Sequence, residues 1–406
     1  MTKSHSAAFT LRVFTILCVL KTTALIAVDD IPGSSSGGPL ERRFAYFPRY
    51  IPEAPPDDTI DPEEIARLIE AEAKGSICSK MTSLLEDHVN PLPIVDWLNA
   101  SSLPSFFEPT VRSLLKREEY YNGFDSLGRY SLGVRPYGFY SNFKLHEDTF
   151  KLATFGVTVD GAVTVYDRWV IGGGLGYWHS NLDWGKKSDR NSVNTIYGGP
   201  FGGYLFDQAY IGLTLLGIYN IYKVNSLFIK GHDKSHEGWD IGARLEGAYE
   251  YEWTRYFGNN FFIQPNGDLS YLWVSQRKMD ETTKLPSGKE FAVSVGSRTY
   301  NFMRYRLGVT FKKEFYQVER GILIPSLSIA WVFMQPLSSS HVKLTCGDSS
   351  PSTVKHKKYP SSNQLYLGAK VVAINTRAFL ISLGADIFIA KLYPIYAGNL
   401  RFEWNW

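Results

Sequence analysis

His232 and His236 stand four residues apart in GHDKSH, the spacing with which a helix presents two imidazoles to one metal ion. Here the stretch lies between strand-like segments, so the pair is expected in a solvated loop, where that spacing has no such consequence. Gly172, Gly174 and Gly176 imitate a dinucleotide-binding loop, but that chemistry needs a helix N-terminus to receive the pyrophosphate, and Trp178 and Trp184 follow instead. Gly185-Lys186-Lys187-Ser188 lacks the rest of a phosphate-binding loop. Neither Cys78 nor Cys346 has a convincing histidine partner. The chain is therefore not expected to be an enzyme, and no catalytic, cofactor-binding or metal-binding residue is expected.

What remains is charge placed with a period of two. Arg135, Asp160, Arg244, Glu246, Asp268, Arg304, Arg306, Lys370, Asp386, Arg401 and Glu403 recur on one side of alternating segments. Such a set could hide an acid and base pair. It reads better as a network that hydrates a pore and holds a plug, with Arg244, Glu246, Arg304, Arg306, Asp386, Arg401 and Glu403 facing the lumen.

The elements that position these charges show best in the last eleven residues, YAGNLRFEWNW. Tyr396, Leu400, Phe402, Trp404 and Trp406 fall on one face of a strand, and Asn399, Arg401, Glu403 and Asn405 on the other. In water such a strand would expose its aromatics or bury its charges. In a membrane barrel, lipid takes the apolar face and a polar lumen takes the charges. Leu400, Phe402, Trp404 and Trp406 are accordingly the expected barrel-assembly signal.

Composition points the same way. Aromatics make up 15% of 406 residues, with 35 Gly and 25 Tyr, a profile suited to strands. Beyond the amino terminus no stretch approaches the roughly 18 uncharged apolar residues that a spanning helix needs. A membrane location would then require a closed sheet, because lipid satisfies no backbone polar group. The formal charge of +3 gives no case for nucleic acid.

Residues 1–27 read as a signal peptide, with Lys3 and Arg12 ahead of the apolar VFTILCVL and small residues near Ala27. Its removal leaves Cys78 and Cys346, which could pair in an oxidising compartment or remain thiols. Residues 28–124 form a short passenger or linker, disordered at its start through SSSGG and PEAPPDD and partly helical afterwards. Asp61 can cap a helix whose first turn holds Pro62, Glu63 and Glu64, and Gly75 ends it. A second helix is expected over Pro109 to Tyr120, lying in the pore near its short-turn mouth. Asn122-Gly123 reads as a plain turn before the first strand.

Residues 125–406 form the barrel. Trp239, Ile241, Ala243, Leu245, Tyr249, Tyr251 and Trp253 alternate with Asp240, Arg244, Glu246, Glu250 and Glu252, and similar alternation gives about twelve strands. They span roughly 130–141, 152–165, 169–180, 193–206, 209–222, 236–252, 260–274, 299–315, 321–334, 363–374, 377–390 and 395–406. Tight turns are expected at Asp167-Arg168, Asp207-Gln208 and Asn375-Thr376, and long polar loops at 181–192, 223–235, 275–298 and 335–362. The fold class is thus all-β: a single transmembrane antiparallel barrel preceded by a short, partly helical region.

Four stretches in order carry a family resemblance: RYSLGVRPYGFYSNF, FGVTVDGAVTVYDRWVIGGGLGYWHSNLDW, HEGWDIGARLEGAYEYEW and NLRFEWNW. Residues 129–406 resemble an autotransporter β-domain. The resemblance implies a monomeric twelve-stranded barrel in the bacterial outer membrane with its long loops at the cell surface. It implies a segment threading the pore, insertion through the terminal strand, and export of the amino-terminal segment. It also implies outer-membrane lipid, the barrel assembly machinery and periplasmic chaperones as partners. The chain departs from the family pattern in having only a short region without β-helical repeats ahead of the barrel. A passive porin or adhesin, and a barrel-embedded hydrolase, are the competing expectations.

Overall fold

The computed structural model describes residues 92–102, 130–145, 148–166, 168–184, 190–225, 233–253, 260–284, 290–317, 321–337, 341–346, 352–355, 359–374, 379–391 and 393–405. The expected signal peptide, the helices starting at Asp61 and at Pro109, Asn122-Gly123, His232 and Trp406 lie outside these residues.

A helix, α1 (Leu92–Ser102), precedes eighteen strands. They are β1 (Tyr130–Leu145), β2 (Asp148–Val165), β3 (Trp169–Trp184), β4 (Arg190–Leu205), β5 (Ala209–Asn225), β6 (Asp233–Tyr249), β7 (Tyr251–Glu252), β8 (Phe261–Gln276), β9 (Met279–Lys284), β10 (Glu290–Val295), β11 (Arg298–Lys313), β12 (Phe315–Gln317), β13 (Gly321–Pro336), β14 (His341–Cys346), β15 (Ser352–Lys355), β16 (Ser362–Ile374), β17 (Phe379–Ile389) and β18 (Ile395–Asn405). Twelve of them, β1 to β6, β8, β11, β13 and β16 to β18, pair antiparallel in a ring that β1 and β18 close from Ser131↔Asn405 to Ser141↔Ile395. Closure leaves no open edge in that ring, which a sheet needs before its backbone can enter hydrocarbon. The first two strands pair without interruption from Tyr130↔Val163 to Leu145↔Asp148.

Alternation sorts each strand into two faces. On β2, Phe155, Val157 and Val159 are exposed while Thr154, Thr158 and Asp160 are buried. Exposed aromatics mark two levels of the outer face: Tyr130, Trp169, Tyr249 and Trp404 near the short-turn end, and Tyr140, Tyr177, Trp239, Trp331 and Tyr396 toward the other. Aliphatic residues such as Leu213, Leu215, Ile241, Leu245, Leu307 and Ile329 are exposed between them. Trp239 and Tyr249 lie ten residues apart on β6. That is about 34 Å of strand, or about 25 Å along the axis of a barrel with strands tilted at about 40°. An exposed apolar band of that height fits a bilayer core and has no counterpart on a protein surface in water.

Some expectations need correction. The regions 275–298 and 335–362 are not simply polar loops: β9, β10, β14 and β15 form a second, four-stranded sheet in the order β15-β14-β10-β9. Its inner positions Met279, Val293, Val295, Val342, Leu344 and Cys346 are buried and Asp280, Thr282 and Lys343 are exposed. The strands of this sheet have six residues or fewer, too short for the alternation to stand out from the polar sequence around them. The barrel strands also run further than expected at the long-connection end, so that β1 and β2 are joined across residues 146–147 alone. Strand β6 stops at Tyr249 rather than at residue 252, and Glu252 is exposed rather than turned inward.

Aromatic rings on the inner face need glycines beside them. Tyr197 lies so close over Gly176 that a Cβ there would be 2.2 Å from its ring, and one at Gly156 would be 2.8 Å from Tyr137. Only glycine admits both contacts.

Helix α1 (LPIVDWLNASS) carries Pro93 in its first turn, where the missing N–H costs no helical bond. Every residue from Leu92 to Asn99 is buried. A helix buried on all sides carries no amphipathic stripe. Its apolar residues join one core with inward-facing Phe143, Phe150, Trp178, Tyr222, Phe302 and Val332 of the barrel. The lumen is therefore not polar throughout, as alternation alone suggested. Its half toward the long connections is an apolar core packed around α1.

Candidate functional site in the barrel lumen

Among the buried residues of α1 two are polar, Asp96 and Asn99, and the wall supplies a partner to each. Tyr222 Oη donates to Asp96 Oδ2 at 2.5 Å. Asn99 Nδ2 donates to Ser180 Oγ at 3.2 Å, and Thr154 Oγ1 donates to Asn99 Oδ1 at 2.9 Å. Trp97 stacks on Phe302 with ring centroids 5.2 Å apart. At the carboxyl end Arg304 Nη1 donates to the Ser101 carbonyl at 3.2 Å, satisfying an orphan acceptor at the negative end of the helix dipole. Five strands, β2, β3, β5, β8 and β11, thus surround one helix, with Gln276 of β8 beside Asp96.

Tyr222 and Gln276 lie close to the long-connection ends of β5 and β8, whereas Ser101 and Ser102 line a cavity deeper in the barrel. The helix therefore runs inward from the long-connection end toward the middle.

Below it, a polar cavity of about 230 Å³ is lined by Arg244, Glu246, Asp268, Arg304, Arg306 and Asp386 among others. Three guanidinium groups converge on Asp268, from Arg244 at 3.4 Å, Arg304 at 3.5 Å and Arg306 at 3.6 Å. Glu246 lies 3.7 Å from Arg244. Arg306 sits 4.3 Å over the Tyr366 ring, whose hydroxyl donates to Asp386 at 2.6 Å. Lys312 pairs with Glu250 nearer the short-turn end. Five of the seven charges singled out in the sequence thus meet around one cavity. Arg401 and Glu403 do not; they form a separate buried group with Asp160. On the opposite face of β18, Trp404 is exposed and Leu400 and Phe402 are half-buried.

The other motifs fall apart. His236 is buried on β6 and stacks on Tyr222 at 4.6 Å. Gly172, Gly174 and Gly176 lie within β3, and Cys346 is buried on β14, while Cys78 and residues 185–188 lie outside the described residues. Among the described residues no group of three or more His, Cys, Asp and Glu side chains could hold a metal ion.

A family model described as the autotransporter beta-domain matches residues 137–386. The chain belongs to that family. An autotransporter beta-domain is a translocator barrel of the bacterial outer membrane, and the lumen just described is the inside of one. Among solved structures, the beta domain of the Bordetella autotransporter Brka shares the fold at 14% identity, with a TM-score of 0.52 over 68% of this chain and 100% of that one. The translocator domain of the autotransporter NalP from Neisseria meningitidis is 12% identical, with a TM-score of 0.49 over 74% of this chain and 99% of its own. No curated protein matches. The seating of α1 was not visible to strand periodicity, because a helix buried on all sides carries no 3.6-residue stripe; the run PIVDWL after Leu92 was the one available signal.

Proposed function

We propose that this translocator barrel carries its own amino-terminal segment to the cell surface through the lumen and afterwards keeps α1 there as a plug. The observation that carries the reading is the direction of α1. Its amino end lies at the level of Tyr222 and Gln276, while β1 starts at the opposite, short-turn end. With its amino end toward the long connections and its carboxyl end deeper in the barrel, α1 has the orientation of a segment that entered from the short-turn side and led with its amino end. With the short turns in the periplasm, as is usual for such barrels, that direction is export. Insertion is led by β18, whose Leu400, Phe402 and Trp404 present the lipid face that the barrel assembly machinery would receive from periplasmic chaperones. Arg244, Glu246, Arg304, Arg306 and Asp386 hydrate the inner lumen and brace the helix from below.

A passive pore makes a different use of the same wall, and α1 separates the two. Removing residues 92–102 is expected to raise single-channel conductance several-fold, because the apolar half of the lumen loses what fills it. Unchanged conductance would count against α1 as a plug.

A further inference from the structure

The ladder that closes the ring is broken in its middle. Strands β1 and β18 pair from Ser131↔Asn405 to Val134↔Phe402 and again from Tyr137↔Asn399, and Pro136 lies in the gap between. Pro136 has no N–H to give, and pairs on its other side with Val157 of β2. Among the described barrel ladders one other interruption occurs, at Gly199 and Pro200 between β4 and β5.

A side-chain bridge spans the break at the seam. Arg401 of β18 is fully buried, with Nη2 at 2.7 Å from Glu403 Oε2 and 2.8 Å from Asp160 Oδ2, while its Nε donates to Glu403 Oε2 at 2.8 Å. Asp160 belongs to β2, so the guanidinium passes over the whole width of β1. Gly133 makes that passage possible. It stands opposite both Glu403 and Asp160 in the two ladders, and a Cβ there would lie 2.9 Å from Arg401 Nη2. The row across β18, β1 and β2 therefore reads carboxylate, hydrogen, carboxylate, with one guanidinium lying over the hydrogen.

We infer that Arg401, Asp160, Glu403 and the notch at Gly133 are a clasp that ties the last strand to the second across the first, where the backbone seam is interrupted. The group can form only when the barrel closes, since Asp160 and Arg401 are 241 residues apart in the chain and meet through the docking of β18 on β1. Closure would otherwise bury two carboxylates beside each other, which is costly unless a cation lies between them. The same arginine thus rewards the closed state and penalises a closed state formed without it. The clasp concerns the wall and not the cargo, so it holds whether or not the amino-terminal segment is exported.

The test is hydrogen exchange of the refolded full chain in detergent, read by mass spectrometry at the seam and on the far side of the barrel. Three variants are compared: Arg401→Met, Gly133→Val, and the neutral Arg401→Met/Asp160→Asn/Glu403→Gln. The neutral variant carries no uncompensated carboxylate and keeps the question open to measurement should Arg401→Met alone fail to fold. We expect exchange over residues 130–136 and 399–405 to rise at least tenfold in Gly133→Val and in the neutral variant, with residues 209–225 and 233–249 unchanged. Wild-type exchange at the seam in the neutral variant, or an equal rise on both sides of the barrel, would overturn the clasp.

Discussion

Replacing Leu400, Phe402 and Trp404 together by serine is expected to abolish assembly in the outer membrane while leaving export to the periplasm intact. These residues occupy the outward face of β18, where Trp404 packs its ring 5.2 Å from that of Phe379 on the neighbouring strand. Large apolar side chains are worth about 1.5–3 kcal/mol each when removed from water. Losing three costs about 5–9 kcal/mol, comparable with the whole stability of a typical domain. The same strand also closes the ring, so a β18 that does not dock leaves β1 and β17 with open edges. The assay is heat-modifiable migration of the membrane fraction on gels, and a normal compact band from the triple variant would contradict the role given to this face.

A single arginine at Ala243 is expected to do more damage than the loss of the arginine beside it. Ala243 lies on the outward face near the middle of the apolar band, opposite Leu215 and Tyr271. Arginine there should cost about 2–4 kcal/mol, as charged side chains do on the lipid face at the bilayer midplane. Arg244 points inward to Asp268 and Glu246. In Arg244→Ala, Asp268 retains Arg304 and Arg306, so insertion should be nearly normal while conductance changes. The two yields of folded barrel decide it. Equal defects would mean that the register of β6 is wrong, since a slip of one residue exchanges the faces.

The barrel was legible because lipid and lumen impose opposite demands on consecutive residues, and segments such as Trp239 to Tyr249 or Tyr396 to Trp404 obey them along their whole length. All twelve barrel strands were marked by that alternation. The contents of the barrel were less legible. Alternation says that Tyr222, Phe302, Thr154 and Ser180 face inward but not that they converge on one helix. That convergence depends on closing β1 against β18 and on the depth at which α1 rests. The charges around Asp268 could be assigned to a face, but their grouping came from neighbouring strands at one level, which no single segment records. The division between that group and the Arg401 clasp likewise depends on Gly133, whose importance lies in a side chain it does not have. The sheet of β9, β10, β14 and β15 went unread because its strands pair across two separate connections.

The most direct test of passage through the lumen is labelling of intact cells with a membrane-impermeant maleimide, in a chain whose three native cysteines are replaced by serine. Ser35→Cys lies well ahead of α1, and Tyr251→Cys lies at the short-turn end. Ser35→Cys is expected to be labelled on intact cells, whereas Tyr251→Cys is expected to react only after the outer membrane is permeabilised. Labelling of Tyr251→Cys on intact cells with Ser35→Cys protected until permeabilisation would contradict passage through the lumen.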